Sequence, residues 1–320
     1  APWSAAVSPD SRRVYVTNSG DSSVSVINAL TNTVIVTVPV FNHPYGIAVS
    51  ADGTKVYVTN SGTNAISVID TLTLTTSGPF TAAMDPIGVA TSPDGRRVYV
   101  TSQTQNVVAV LDSATNAVVA SIPVGSTPYG VVVGRDSQRV YVANAAGNSV
   151  SVIDANSNAV VATVPVGARP EGIDVSPDGT RVYVVDRDSS DVRTIDTATN
   201  TVVATYSVGA GSNPFAMGRF VAVGGVASTF VATRMPDAPY GQPYLQPLPV
   251  SGNPRPSLSL VAGSLPPGLS LDPVTGTIGG TATVIGDYSF DIRAANGVGN
   301  TAVQSIQLSV VATRPGPPAI

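Results

Sequence analysis

The tripeptides Val14-Tyr15-Val16, Val56-Tyr57-Val58, Val98-Tyr99-Val100, Val140-Tyr141-Val142 and Val182-Tyr183-Val184 recur at a constant step of 42 residues, with no insertion between copies. A fixed period of this length leaves few folds open, because one unit is a small group of strands that cannot bury its own apolar faces and needs its neighbours to do so. Other positions keep the step. Asp10, Asp52, Asp94, Asp136 and Asp178 mark one turn, and Ile27-Asn28, Ile69-Asp70, Leu111-Asp112, Ile153-Asp154 and Ile195-Asp196 mark another. A third series runs Pro2-Trp3, Pro44-Tyr45, Pro86-Ile87, Pro128-Tyr129 and Pro170-Glu171, then Pro214-Phe215 after a two-residue slip at Gly211-Ser212.

Within one unit the pattern predicts four strands. Gly130 to Val133, Val140 to Ala143, Ser149 to Ile153 and Ala159 to Val164 are short apolar or alternating runs, separated by Arg135-Asp136-Ser137, Ala146-Gly147-Asn148 and Asp154 to Asn158. The fold expected is all-β: a β-propeller of five four-stranded, 42-residue blades plus a leftover strand, followed by a small Ig-like β-sandwich. A linear β-solenoid fits less well, since its coils lack repeated hairpin turns such as Asp52-Gly53, Asp94-Gly95 and Asp178-Gly179.

The run Ser92-Pro93-Asp94-Gly95-Arg96-Arg97-Val98-Tyr99-Val100-Thr101, with Val56-Tyr57-Val58-Thr59-Asn60 and Val152-Ile153-Asp154, resembles the YVTN-type β-propeller repeats of bacterial and archaeal surface and exported proteins. The resemblance covers residues 1 to about 223. It implies a secreted or surface setting and is silent on activity.

The phase of the repeats leaves one strand over. The first unit opens with an innermost strand, Trp3 to Val7, yet a sixth such strand, Phe215 to Val223, follows the fifth unit. A five-bladed ring with an extra strand, a fragment of a larger ring, and a subunit that exchanges a strand with a neighbour all satisfy this phase. The last two imply a homo-oligomer or polymer, because an uncovered sheet edge associates.

From Met235 the composition turns Pro-rich and the period is lost. Residues 1–223 are thus assigned to the propeller, 224–234 to a linker, 235–311 to the sandwich and 312–320 to a Pro-rich tail. Leu265-Pro266-Pro267-Gly268-Leu269-Ser270-Leu271-Asp272, Thr275 to Thr281 and Gly286-Asp287-Tyr288 resemble the Ig-like or cadherin-like modules of bacterial surface proteins, which implies a spacer or adhesion role. Cadherin-type calcium binding is not expected, because Asp272, Asp287 and Asp291 form no clustered acidic motif.

Charged residues make up only 11% of the chain, with a single Lys (Lys55), Glu (Glu171) and His (His43), and the net charge is -4. Scattered Arg residues do not make the basic surface that nucleic acid requires. Zero Cys removes thiolate metal sites and Cys nucleophiles. No run reaches the roughly 18 apolar residues of a transmembrane helix. A Thr/Ser/Asn-rich, Lys-poor β protein suits an extracellular or cell-surface place.

Candidate residues lie where a propeller's channel opens. Trp3, Tyr45, Tyr129, Glu171 and Phe215, together with Ile87, enter the innermost strands, and such aromatics stack on sugar faces, grip a peptide or simply seal the channel. Sealing is the expected role. Asn18, Asn60, Ser102, Asn144 and Asp186 follow the second strands and are expected to cap turns. Unit five departs most from the others, and Asp186, Asp188 and Asp191 are its candidate Ca²⁺ ligands, although the segment lacks the glycine and terminal Glu of a calcium loop. No catalytic residue and no resident cofactor are expected. The chain reads as a non-enzymatic exported scaffold for adhesion or binding, with cell-surface glycans or other protein subunits as partners. The alternative is a propeller hydrolase or lyase acting on an extracellular polysaccharide through Glu171, Asp174, Asp186 and Asp188.

Overall fold

The computed structural model describes residues 1–216, 226–230, 232–253, 256–273, 276–295 and 301–312. The chain divides into two units, Ala1–Ala222 and Val223–Ile320.

In the first unit the described residues form five antiparallel sheets, each of four strands paired in chain order. Blade one consists of Pro2–Val7, Arg13–Asn18, Ser23–Asn28 and Thr33–Pro39. Its turns explain the polar periodicity. Ser8 Oγ donates to Asp10 at 2.6 Å, as Ser50 does to Asp52 at 2.6 Å and Ser176 to Asp178 at 2.5 Å. Between the third and fourth strands, a side-chain oxygen of Asn28 accepts the backbone N–H groups of Leu30 and Thr31, and Asp70, Asp112, Asp154 and Asp196 repeat the arrangement.

The apolar cores lie between blades. Tyr15, Val24, Val26 and Val38 of blade one pack on Ile47, Val56, Val58 and Ile69 of blade two. Equivalent cores join blade two to three through Tyr57, three to four through Tyr99, and four to five through Tyr141. The end faces differ. Val14, Val16 and Ile27 of blade one are only half-buried, whereas their counterparts Val56, Val58 and Ile69 are fully buried. On the opposite face of blade five, Tyr183 and Val192 are half-buried and Tyr206 is exposed. That face also carries Asp174, Thr194 and Tyr206 where blade four has Val132, Val152 and Val164, and of these Asp174 and Thr194 are buried. Of the sixth innermost strand expected over Phe215 to Val223, only Phe215 and Ala216 lie among the described residues.

In the second unit, Ala238–Pro239, Ala302–Val311, Gly286–Ala295 and Ser257–Gly263 form one sheet, and Pro243–Pro247, Thr277–Thr281 and Leu269–Asp272 form another. Tyr244, Leu269 and Ile278 of the second sheet share a core with Leu258, Phe290, Ile292 and Ile306 of the first. Val226–Phe230 pairs with Val250–Asn253 inside this unit, so part of the stretch assigned to a linker is a strand of the module. The change to a Pro-rich composition follows that strand and so placed the boundary too late.

Blades are also stapled through backbone. Thr17 Oγ1 accepts the N–H of Ser4 at 2.9 Å and donates to the carbonyl of Tyr45 in the next blade at 2.9 Å. Thr59 repeats this with Gly46 and Ile87, and Thr101 with Gly88 and Tyr129, at 2.7–2.8 Å. Gly46, Gly88 and Gly130 allow the approach: a Cβ there would stand 2.3–2.5 Å from the carbonyl oxygens of Ile87, Tyr129 and Glu171. Thr101 is fully buried. Thr101→Val should therefore strand two backbone groups and cost about 1–3 kcal/mol in urea denaturation, while Thr101→Ser, which keeps the hydroxyl, costs clearly less. Equal costs would show that the hydroxyl does not hold the blades together.

Candidate functional site

The first strands of the blades line the central channel. Its cavity holds only about 30 Å³ between Ser4, Gly46, Gly88, Gly130, Ile173 and Ala216, room for about one water. Above it the strand entries converge. From the second onward, each begins at a proline whose preceding residue has positive φ: His43 at 50°, Asp85 at 48°, Thr127 at 55°, Arg169 at 56° and Asn213 at 46°. A residue before proline is disfavoured in helical conformations, and a non-glycine residue in the left-handed region costs more, so these entries are held by their surroundings. The side-chain oxygens of Asn64, Asn106 and Asn148 accept the N–H groups of Asp85, Thr127 and Arg169 at 2.8, 2.7 and 3.0 Å, each reaching from one blade to the entry of the next. These clamps were not singled out from sequence, although Ser22, Asn64, Asn106, Asn148 and Ser190 keep the 42-residue step.

The aromatic residues at the entries meet. Trp3 lies edge-on to Tyr45 at 5.0 Å between centroids and to Phe215 at 5.8 Å, and Phe215 lies edge-on to Tyr129 at 6.3 Å. Ala216, the next residue, rests against Gly172 of blade five. The set divides in two. Ile87 and Tyr129 are buried, while Trp3 and Phe215 remain 41% and 43% exposed. Burial, reinforced by the Glu171 carboxylate, pushes the Tyr129 phenol up to about 12, so it stays neutral.

Glu171 takes the aromatic position in blade five and is buried, with its carboxylate 2.7 Å from Arg169 Nε and 3.3 Å from Arg187 Nη1. The two Arg backbones are joined by a bond from Arg187 N–H to the Arg169 carbonyl at 3.0 Å. Arg169 was missed from sequence; the signal was its place beside the one blade entry that lacks an apolar residue.

The amide series behaves differently from expectation. Asn18 and Asn60 make no capping bond at the turns that follow them. Instead Asn18 donates to Ser23 and Ser25, Asn60 to Ser67, and Asn144 to Ser149 and Ser151, tying the second strand to the third. In blade five the same positions are Asp186, Asp191 and Arg193, with Arg193 Nε 3.4 Å from Asp186 and 3.5 Å from Asp191. Oδ1 of Asp186 and Oδ1 of Asp191 are buried and meet no donor, a conflict that a proton on Asp186, donated to Asp191, resolves. Burial first, and then Asp191, push Asp186 up to about 7. Asp188 is exposed on the following turn, and no group of three or more acids or histidines among the described residues is placed to hold a metal. The structure thus brings Asp186 and Asp191 together around Arg193 and leaves Asp188 apart from them, exposed on the following turn.

A family model described as YNCE-like beta-propeller matches residues 52–135 and 132–218, and one described as Putative Ig domain matches residues 227–311. A search of curated proteins finds no match. Solved structures that resemble the chain include hydrazine synthase of Kuenenia stuttgartiensis, with 24% identity, a TM-score of 0.60, and coverage of 66% of this chain and 67% of that one. A functionally unknown protein from Desulfotomaculum acetoxidans has 18% identity and a TM-score of 0.57, covering 64% and 69%. Virginiamycin B lyase from Staphylococcus aureus has 18% identity and a TM-score of 0.56, covering 66% and 71%. At these identities the likeness is one of fold.

Asp186 makes the stability of blade five depend on pH. Its carboxyl titrates at 3.8 in the unfolded chain and at about 7 in the folded one, so between these values the folded chain binds a proton that the unfolded chain has lost. Stability should fall as pH rises through that window, by up to about 1.4 kcal/mol per pH unit, and level off above it. Asp186→Asn, which restores the residue of blades one, two and four, should flatten this decline and raise the melting temperature at pH 8. A decline unchanged in Asp186→Asn would assign it to another group.

Proposed function

The chain belongs to the YNCE-like β-propeller family with an Ig-like module following the propeller in sequence, and from that architecture we propose a non-enzymatic binding scaffold, exported or held at a cell surface, that takes a glycan on the channel mouth. One observation carries the reading: Trp3 and Phe215, in edge contact with each other, present half their surface above a channel too narrow for anything but water. Enzyme and cofactor sites are usually clefts of about 300–1,000 Å³. Exposed aromatic rings standing edge-on around a cavity of about 30 Å³ are suited instead to a ligand that lies on the surface.

A pyranose ring is such a ligand. Its C–H face is weakly positive and complements the negative face of an aromatic ring, so stacking needs no pocket. A peptide would need side-chain pockets or a sheet edge at the site. The Ig-like module acts as a spacer between platform and attachment. Thr, Ser and Asn in abundance and a single Lys support an exported setting. Among the described residues no helix is long and apolar enough to cross a membrane.

Trp3→Ala and Phe215→Ala should each lower binding on a glycan array about tenfold or more, with melting temperature nearly unchanged because both side chains are far from fully buried. The oligosaccharides bound should be recovered uncleaved. Binding that survives both substitutions, or turnover of a bound glycan, would overturn the proposal.

A further inference from the structure

The five blades serve as internal controls for one another, and only one mouth position breaks their pattern at three places together. Glu171 corresponds to Trp3, Tyr45, Ile87 and Tyr129; Arg169 corresponds to His43, Asp85 and Thr127; Arg187 corresponds to Ser19, Ser61, Gln103 and Ala145. Nothing in the packing of a blade requires this change, since the other four blades form without it. The three side chains converge, and the result is two guanidinium groups around one buried carboxylate, leaving a local charge of +1.

The guanidinium groups are only partly used. Arg169 donates to Glu171 through Nε alone and Arg187 through Nη1 alone, and the side chains are 49% and 37% exposed. The other N–H groups of each fork have no protein partner among the described residues. Glu171 and the left-handed backbone of Arg169, clamped by Asn148, hold the pair in place before any ligand arrives. Phe215 is edge-on to Tyr129, and the next residue, Ala216, rests against Gly172 beside Glu171, which ties the cationic pair to the aromatic rings.

We infer that the mouth is selective for an acidic saccharide, a uronic acid unit whose ring stacks on Trp3 or Phe215 and whose carboxylate is received by the free N–H groups of Arg169 and Arg187. This rests on the glycan-binding reading above and adds the class of glycan to it. The planar, doubly donating end of Arg matches a carboxylate in geometry, and a hydroxyl group alone would leave these charged donors poorly matched. The net charge of -4 opposes an anionic polymer only weakly, because salt screens charges more than about 8 Å away at physiological ionic strength.

The test is calorimetric titration of the full chain with oligogalacturonate, with its methyl ester, and with a neutral galacto-oligosaccharide of equal length. The free acid should bind about tenfold or more tightly than the ester, as expected for hydrogen bonds to a charged group, and its advantage should shrink with added salt. Arg187→Gln should remove the preference while leaving binding of the ester, and melting curves check that the variant is folded. Equal affinity for all three saccharides would overturn the acidic specificity and leave the platform intact. Binding of none of them would overturn both.

Discussion

A four-stranded sheet with a buried tyrosine on one face and a row of valines on the other cannot stand alone in water, and each feature of the propeller follows from the way neighbouring sheets cover those faces. The four cores centred on Tyr15, Tyr57, Tyr99 and Tyr141 each lie between two blades and not within one. Burying a single valine or tyrosine side chain is worth roughly 2 kcal/mol, so a blade stripped of one neighbour loses several such contributions at once. The threonine staples add direction to this non-directional attraction. They fix the height at which one innermost strand sits beside the next, through the carbonyls of Tyr45, Ile87 and Tyr129.

Those carbonyls belong to the residues of the channel mouth, so the force that assembles the blades also arranges the platform. Glycines at 46, 88 and 130 let the strands approach until the channel has room for about one water. On the rim, blade five departs from the repeat in two separate places. Glu171 with its arginines faces the mouth, and Asp186 with Asp191 and Arg193 lies within the blade where blades one and four hold an amide and two hydroxyls. The first departure leaves donors open to a ligand. The second closes on itself around Arg193, and the burial that raises Asp186 there makes stability depend on pH.

The period carried the blades, their turns and the positions of the mouth residues, because each of these is a local choice repeated at a fixed step. What it could not carry was anything that depends on how distant parts of the ring meet. Whether Trp3 is a plug or a platform is decided by Phe215, far along the chain, whose ring touches both Trp3 and Tyr129. The amides of Asn18, Asn60 and Asn144 were expected at turns since asparagine is common there, but the serines two strands' pairing brings opposite them compete successfully for the same hydrogens. Three aspartates close in sequence suggested calcium; in space, Asp186 and Asp191 meet around Arg193 while Asp188 is exposed.

Mutual covering of blades also implies that cover is unequal along the chain. Blades two, three and four are flanked on both faces, while Val14, Val16 and Ile27 of blade one and Tyr183 and Val192 of blade five are only half-buried. Amide hydrogen exchange on the intact chain, resolved strand by strand, reads this directly. Protection should be greatest in the second and third strands of blades two to four and should fall toward blades one and five. Uniform protection through all five blades would contradict the account, because it would mean that the end faces are covered as fully as the middle ones.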